Sequence, residues 1–129
     1  DRSSAFNKVR NHFGMSRVSQ AGALAALADQ DFLNETILQI AAARTTVMDI
    51  AEDNGLECIP SGTNFVAIDC GQDGDFARSV LSSLIDQGIF VRMPFVAPQD
   101  RCIRVSCGTQ EDLKRFAAAL PKALAAARQ

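Results

Sequence analysis

Histidine is almost absent from this sequence, since His12 is the only one in 129 residues. This excludes a metal centre built from several imidazoles, and no carboxylate and nucleophile are arranged around His12. Cysteine is sparse as well, with neither the CxxC spacing of zinc and redox sites nor the density of a disulfide-rich secreted domain. We expect no metal site, and reduced thiols in or beside strands at Cys58, Cys70, Cys102 and Cys107.

Long hydrophobic runs and an excess of basic charge are also missing. No apolar run approaches the ~20 residues that cross a bilayer, and no basic segment followed by an apolar one opens the chain. The net charge of −2 does not favour nucleic acid or an anionic membrane as a partner. Neither GxxxxGK[ST] nor GxGxxG occurs, so the usual nucleotide-binding loops are not supported. We expect a globular cytoplasmic protein with no nucleic-acid or membrane partner.

Apolar residues at three- and four-residue spacing predict four helices. The first covers about residues 18–30, the second 31–53 and the third 76–85, and the fourth begins after Thr109. The second is long enough to act as a spine or connector between parts of a protein. Pro121 lies within the fourth, where its missing amide proton predicts a kink or a restart of the helix.

Four short runs rich in β-forming residues lie between the second helix and the last. They cover residues 56–60, 64–70, 89–92 and 102–107, and we expect the last two to pair. The order of elements is then α, α, β, β, α, β, β, α. This order predicts an α+β fold in which helices cover a small, mainly antiparallel sheet.

One arginine lies on each of the last two predicted strands, Arg92 and Arg104. In each strand the aliphatic neighbours take the core face, so both arginines point to the opposite face. If the strands pair, both guanidinium groups reach one surface, where their planar forks suit a carboxylate or a phosphate. The alternative is an ordinary solvated sheet face, on which arginine is common. Periodicity by itself favours that alternative.

Asn64 is a further candidate, at the start of the second predicted strand and directly after Gly62 and Thr63. Its amide could fix a loop or meet a ligand. Loop formation is the more ordinary use of asparagine beside glycine. The carboxylates of the chain lie at predicted helix ends and turns, where they usually cap helices or face solvent.

Four segments in order resemble the C-terminal part of fold-type-I pyridoxal-phosphate-dependent aminotransferases of classes I and II, in the histidinol-phosphate aminotransferase-like branch. The segment that leaves that family's large domain resembles KVRNHFGMSRVSQAGALAAL. The family motifs P-S-x-x-N-F and G-I-x-V-R resemble PSGTNFVAI and GIFVR, and L-R-I-x-x-G-T-x-E-E resembles CIRVSCGTQED. The order of the four, over about residues 8–112, carries the resemblance more than any single motif.

The resemblance implies a role for each candidate residue. Arg104 would clamp the α-carboxylate of the substrate, Arg92 would help to hold a distal phosphate, and Asn64 would have a structural role near the domain junction. Residues 1–15 would be the tail of the large domain or a linker. Residues 16–129 would be the C-terminal small domain with its long connecting helix.

The resemblance also implies an aminotransferase of amino-acid biosynthesis that uses pyridoxal 5'-phosphate and is a cytoplasmic homodimer. The family's cofactor-binding lysine belongs to a segment that precedes the matched ones, and the chain begins at Asp1 without a methionine. Lys8, Lys114 and Lys122 lie in no matching motif. We therefore expect a fragment with no catalytic or cofactor-binding residue, which depends on a missing large domain and does not catalyse transamination alone.

Three alternatives remain open from the sequence. A fold-type-I enzyme related to threonine-phosphate decarboxylase would share both arginines but would release carbon dioxide. A stand-alone α+β module would use Arg92 and Arg104 to bind a small anion or another protein. A purely structural domain would use neither.

Overall fold

The computed structural model describes residues 2–9 and 14–129, so His12 lies outside the described part of the chain. The chain divides into two compact units, Asp1–Thr36 and Ile37–Gln129. The helices are α1 (Arg2–Val9), α2 (Arg17–Ala28), α3 (Gln30–Asp53), α4 (Gly74–Asp86) and α5 (Gln110–Ala127). The strands are β1 (Glu57–Ile59), β2 (Phe65–Asp69) and β3 (Cys102–Ser106), and a short 3₁₀ turn, Gln99–Arg101, precedes β3.

Side-chain caps begin α2 and α5. The hydroxyl of Ser16 accepts the N–H of Ser19 at 3.1 Å at the start of α2. At the start of α5, Thr109 and Asp112 form a reciprocal capping box. The hydrogen bonds from Thr109 hold the pKa of the Asp112 carboxyl below its ordinary value. These local interactions stabilise the first turns, whose amide protons have no partner within the helix.

Left-handed glycines end α3 and α4. Gly88 has a φ of +75°, its N–H donates to the carbonyl of Ile85 at 2.8 Å, and the N–H of Ile89 donates to that of Leu84 at 2.9 Å. Gly55, with a φ of +70°, ends α3 by the same pattern. Each helix therefore stops in a Schellman motif. Gly88 directs the chain into the segment that carries Arg92.

The sheet of the second unit is small and antiparallel, with β2 between β1 and β3. The predicted α+β class and small antiparallel sheet are confirmed, but the predicted strand over residues 89–92 is wrong. Only Arg92 pairs there, through an isolated antiparallel bridge to Arg104. The described chain also begins with α1, so the element order differs from the predicted one. A segment can show the apolar–polar alternation of a strand and still pair with the next strand at a single residue, because pairing depends on residues that are distant in the sequence.

The core of the second unit lies between one face of the sheet and the helices that cover it. Val66 and Ile68 of β2 and Ile103 and Val105 of β3 are almost fully buried. The apolar stripes of α4 and α5 pack against them, together with the C-terminal half of α3. The opposite face of the sheet is more open, and it carries the arginines.

Two predictions about the helices need correction. The predicted apolar stripe of α3 includes Leu33 and Ile37, but these side chains are 43% and 54% exposed, whereas Val47 and Ala51 are fully buried. The helical period identifies an apolar face but not what covers it. Of the kink or restart predicted at Pro121, the restart does not occur, because α5 runs unbroken from Gln110 to Ala127. Burial of its neighbouring side chains in the core outweighs the hydrogen bond that proline removes.

None of the described helices is long and apolar enough to cross a membrane. All four cysteines are free thiols, with Cys70 and Cys102 buried and the other two half-buried. Cys102 is buried outside the main core, on the face of the sheet that carries Arg104.

Replacement of Gly88 by alanine tests the left-handed stop of α4. We expect Gly88→Ala to lower the free energy of unfolding by about 1–2 kcal/mol, because a Cβ atom is strained at this φ. Gly62→Ala is the matched control, since Gly62 has no positive φ and open space around it. Urea unfolding followed by circular dichroism measures both. Equal losses for the two variants would contradict the prediction.

Candidate functional site

Two backbone hydrogen bonds place Arg92 and Arg104 directly opposite each other. The N–H of Arg92 donates to the carbonyl of Arg104 at 3.1 Å, and the N–H of Arg104 donates to that of Arg92 at 2.6 Å. In an antiparallel pair of this type, the two side chains project from the same face of the sheet. The register of β2 and β3 places Ala67 on the other side of Arg104. The arginines therefore share one surface, and a small residue leaves room beside them.

Neither guanidinium group is neutralised within the described part of the chain. Arg92 is exposed and Arg104 is half-buried, and no described carboxylate lies within ion-pair distance of either. Nearby arginines differ, because Arg101 pairs with Asp69 at 2.9 Å and Arg78 with Asp75. Like charges directly across a strand pair repel each other. The Arg92 and Arg104 pair therefore forms a positive site that an anion would stabilise.

An aromatic ring and a cavity define the surroundings of the arginines. The Cζ atom of Arg104 lies 4.7 Å from the centroid of the Phe65 ring, within the range of a cation–π interaction. A cavity of about 300 Å³ is lined by Arg92, Met93, Pro94, Phe95 and Arg104. Its size suits a small anionic molecule or one end of a larger one.

Asn64 lies in the loop that leads into β2, and its side chain is exposed. Its carbonyl accepts the N–H of Cys107 at 2.8 Å, which extends the pairing of β2 and β3 by one residue. Arg44 donates to the carbonyl of Thr63 at 2.9 Å and connects this loop to α3. Asn64 thus has a backbone contact that joins the two strands, and it does not line the cavity between the arginines.

No metal-ligand cluster accompanies the arginines among the described residues. No group of three or more acidic, histidine or cysteine side chains in that part of the chain could hold a metal ion. Burial raises the pKa of the Cys70 thiol to about 11, so this thiol stays protonated near neutral pH. Lys8, Lys114 and Lys122 are all exposed. An exposed lysine on a helix surface does not offer the enclosed setting that a covalently held cofactor needs.

The structure therefore brings two of the three predicted site residues together, Arg92 and Arg104. Two planar guanidinium groups on one face of a sheet can bind an anion between them. The sequence patterns did not identify Phe65 as a residue of this site. Its alternation within β2 indicates the face on which it lies, but not its position relative to a residue of β3.

The family is established by comparison with known proteins. The model of the family "Aminotransferase class I and II" matches residues 3–120 of this chain. The chain belongs to the class I and II aminotransferase family, and the resemblance drawn from the four motifs is confirmed.

The chain is similar to histidinol-phosphate aminotransferases within this family. It is 38% identical to the histidinol-phosphate aminotransferase of Bacillus velezensis over 103 residues, which cover 80% of this chain and 28% of that protein. It is 35% identical to histidinol-phosphate aminotransferase 2 of Ralstonia nicotianae over 121 residues, 94% of this chain and 32% of that protein. The crystal structure of histidinol-phosphate aminotransferase from Sinorhizobium meliloti in complex with pyridoxal-5'-phosphate matches with a TM-score of 0.88 and 53% identity. That match covers 94% of this chain and 33% of that one. The chain thus spans about a third of the length of these relatives.

The unneutralised charge at Arg92 predicts a measurable effect on stability without any ligand. We expect Arg92→Gln to raise the free energy of unfolding by about 0.2–1 kcal/mol at low salt, because it removes a like charge opposite Arg104. The gain should shrink between about 0.01 M and about 1 M salt, where the Debye length falls from about 30 Å to about 3 Å. Urea unfolding at both salt concentrations measures it.

Lys122→Gln is the control, because it removes the same charge from an exposed position on α5, away from the bridge. We expect it to show no comparable dependence on salt. A gain at Arg92 that is equal at both salt concentrations, or equal to that of the control, would contradict repulsion between the two arginines.

Proposed function

We propose that this chain is the substrate-anion-binding part of a pyridoxal-phosphate-dependent aminotransferase of the histidinol-phosphate type. The whole protein would transfer an amino group between an amino acid or amino phosphate and a 2-oxo acid, in amino-acid biosynthesis. The observation that carries this proposal is the bridge between Arg92 and Arg104, which gives one surface two guanidinium groups without carboxylate partners. Family membership and 53% identity to an enzyme solved with the cofactor support it.

Each arginine has its own role in this proposal. Arg104 holds the α-carboxylate of the substrate, and its half-buried position and contact with Phe65 support a fixed orientation. Arg92 is more exposed and helps to hold the distal phosphate, which would select among substrates. Asn64 has a structural role near the junction with the rest of the protein. Its backbone bond to Cys107 supports that role.

The cofactor and the reacting groups belong to other parts of the proposed protein. When bound, pyridoxal phosphate would supply the electron sink for amino-group transfer. The contribution of this chain is orientation. An arginine fork that fixes the carboxylate also fixes the direction of the substrate's α-carbon–hydrogen bond, and such alignment accounts for much of the rate of an enzyme reaction.

We extend the proposal to the organisation of the protein. Residues 1–15 are the tail of a large domain or a linker, and residues 16–129 are a C-terminal small domain with α3 as its connecting helix. The whole protein is a cytoplasmic homodimer. The 24-residue length of α3 supports a connecting role, as does the similarity over about a third of each relative.

The first test replaces Arg104 by lysine in the full-length protein. We expect Arg104→Lys to lower kcat/KM for all amino donors by about 100-fold, because a point charge cannot bind a carboxylate with two parallel hydrogen bonds. Steady-state transamination with several donors measures it, and Lys122→Arg, an exchange of charged residues on exposed α5, is the control. An unchanged kcat/KM would end the assignment. Release of carbon dioxide in place of an oxo product would instead indicate the related decarboxylase.

The second test concerns the separate role of Arg92. We expect Arg92→Ala to lower kcat/KM for phosphorylated substrates by about 10- to 100-fold and to change it little for neutral ones, because only the former present a distal anion. Competition between a phosphorylated and a neutral donor measures the ratio directly. A uniform loss across both would contradict the distal role. It would indicate that both arginines bind the same anionic group.

A further inference from the structure

The guanidinium group of Arg104 has one specific side-chain partner among the described residues, and that partner is an aromatic ring. Its Cζ atom lies 4.7 Å from the centroid of Phe65. The two residues lie on the same face of the sheet, because Arg104 is opposite Ala67 in the register and Phe65 alternates with Ala67 along β2. The small side chain of Ala67 leaves room for the ring and the guanidinium group to meet.

A ring and a carboxylate restrain an arginine in different ways. A carboxylate occupies the N–H donors at the edge of the guanidinium plane and cancels its charge, as Asp69 does for Arg101. A ring attracts the cation without cancelling its charge and without a carboxylate's two acceptor oxygens, so the N–H donors of the guanidinium group remain available for a ligand. Phe65 can therefore restrict the orientation of Arg104 while the arginine keeps its charge and its donors for a ligand.

Phe65 is itself fixed by the loop that precedes it. The hydroxyl of Ser61 donates to the carbonyl of Phe65 at 2.6 Å, and that of Thr63 lies 3.2 Å from the same carbonyl. The N–H of Phe65 donates to the Thr63 hydroxyl at 3.4 Å, and its register partner in β3 is Ser106. The backbone that carries the ring is thus held from both the loop and the sheet, and the ring is half-buried.

We propose that Phe65 is a positioning residue for Arg104, whose ring fixes the guanidinium plane so that its fork faces the substrate anion. This inference rests on the proposed function, because it requires Arg104 to bind that anion. An arginine that is already oriented loses less side-chain entropy when a ligand binds. Phe65 therefore contributes to anion affinity and to the alignment of the substrate without touching the substrate.

The test uses three variants of the full-length holoenzyme. Phe65→Leu keeps an apolar side chain but removes the ring, Phe65→Tyr restores a ring, and Phe32→Leu makes the first change at an exposed phenylalanine of α3, outside both cavities that Arg92 lines. The measurements are kcat/KM for an amino donor and the inhibition constant of acetate, a simple carboxylate, as a competitive inhibitor. We expect Phe65→Leu to lower kcat/KM and to raise the inhibition constant, each by about 3- to 10-fold. Phe65→Tyr and Phe32→Leu should stay within about twofold of the parent.

A structural role for Phe65 predicts different results. Loss of packing would lower thermal stability and would not be specific to anion affinity, so the melting temperature of each variant is measured as well. If Phe65→Leu does not fold, Phe65→Met replaces it, because methionine adapts to irregular apolar space. The inference is overturned if the leucine or methionine variant matches the parent in kcat/KM and acetate inhibition. It is also overturned if Phe65→Tyr fails to restore both.

A double-mutant cycle with Arg104→Gln separates this inference from the proposed function. If Phe65 acts through Arg104, Phe65→Leu has no further effect in the Arg104→Gln background. Independent, multiplicative losses would overturn the positioning role and leave the proposed function intact. If Arg104→Gln retains full activity and acetate affinity, the carboxylate-binding role of Arg104 fails, and the role of Phe65 fails with it.

Discussion

The candidate site depends on one backbone contact, the pair of hydrogen bonds between Arg92 and Arg104. The segment after α4 meets β3 at this residue and pairs nowhere else along residues 89–92. The contact nevertheless determines that both side chains leave the sheet on the same face and at the same level. Any displacement of one segment by a single residue would send one arginine toward the core.

The local structure around this contact is specified on both sides. The left-handed conformation of Gly88 turns the chain out of α4, and the reciprocal cap between Thr109 and Asp112 begins α5 just after β3. The aliphatic residues of β2 and β3 anchor the other face of the sheet in the core. Repulsion between two arginines costs little compared with the burial of several aliphatic side chains. The fold can therefore retain a positive site that does not contribute to its own stability.

The distribution of exposed apolar residues agrees with the limited length of the chain. Helix α2 has no buried residue, and the N-terminal half of α3 exposes large apolar side chains such as Phe32 and Leu38. The chain spans about a third of the length of its relatives. Apolar surface of this extent normally marks a contact region.

The sequence by itself determined the parts of the protein that depend on neighbours along the chain. The apolar period, with the helix start at Thr109, located α2 to α5. Runs of β-forming residues located β1 to β3, and alternation identified the face that carries each arginine. The order of four motifs was sufficient for the family. Local pattern also misled, because residues 89–92 alternate like a strand and the apolar stripe of α3 is covered only at its C-terminal end.

Only the tertiary structure decided which residues meet. Alternation within a strand identifies the side of the sheet, but the level of each residue relative to the next strand is set by hydrogen bonds and packing between distant segments. For this reason the direct opposition of Arg92 and Arg104 and the contact of Arg104 with Phe65 appear only in the folded chain. Periodicity favoured two solvated arginines. The fold made them one positive surface with an aromatic support.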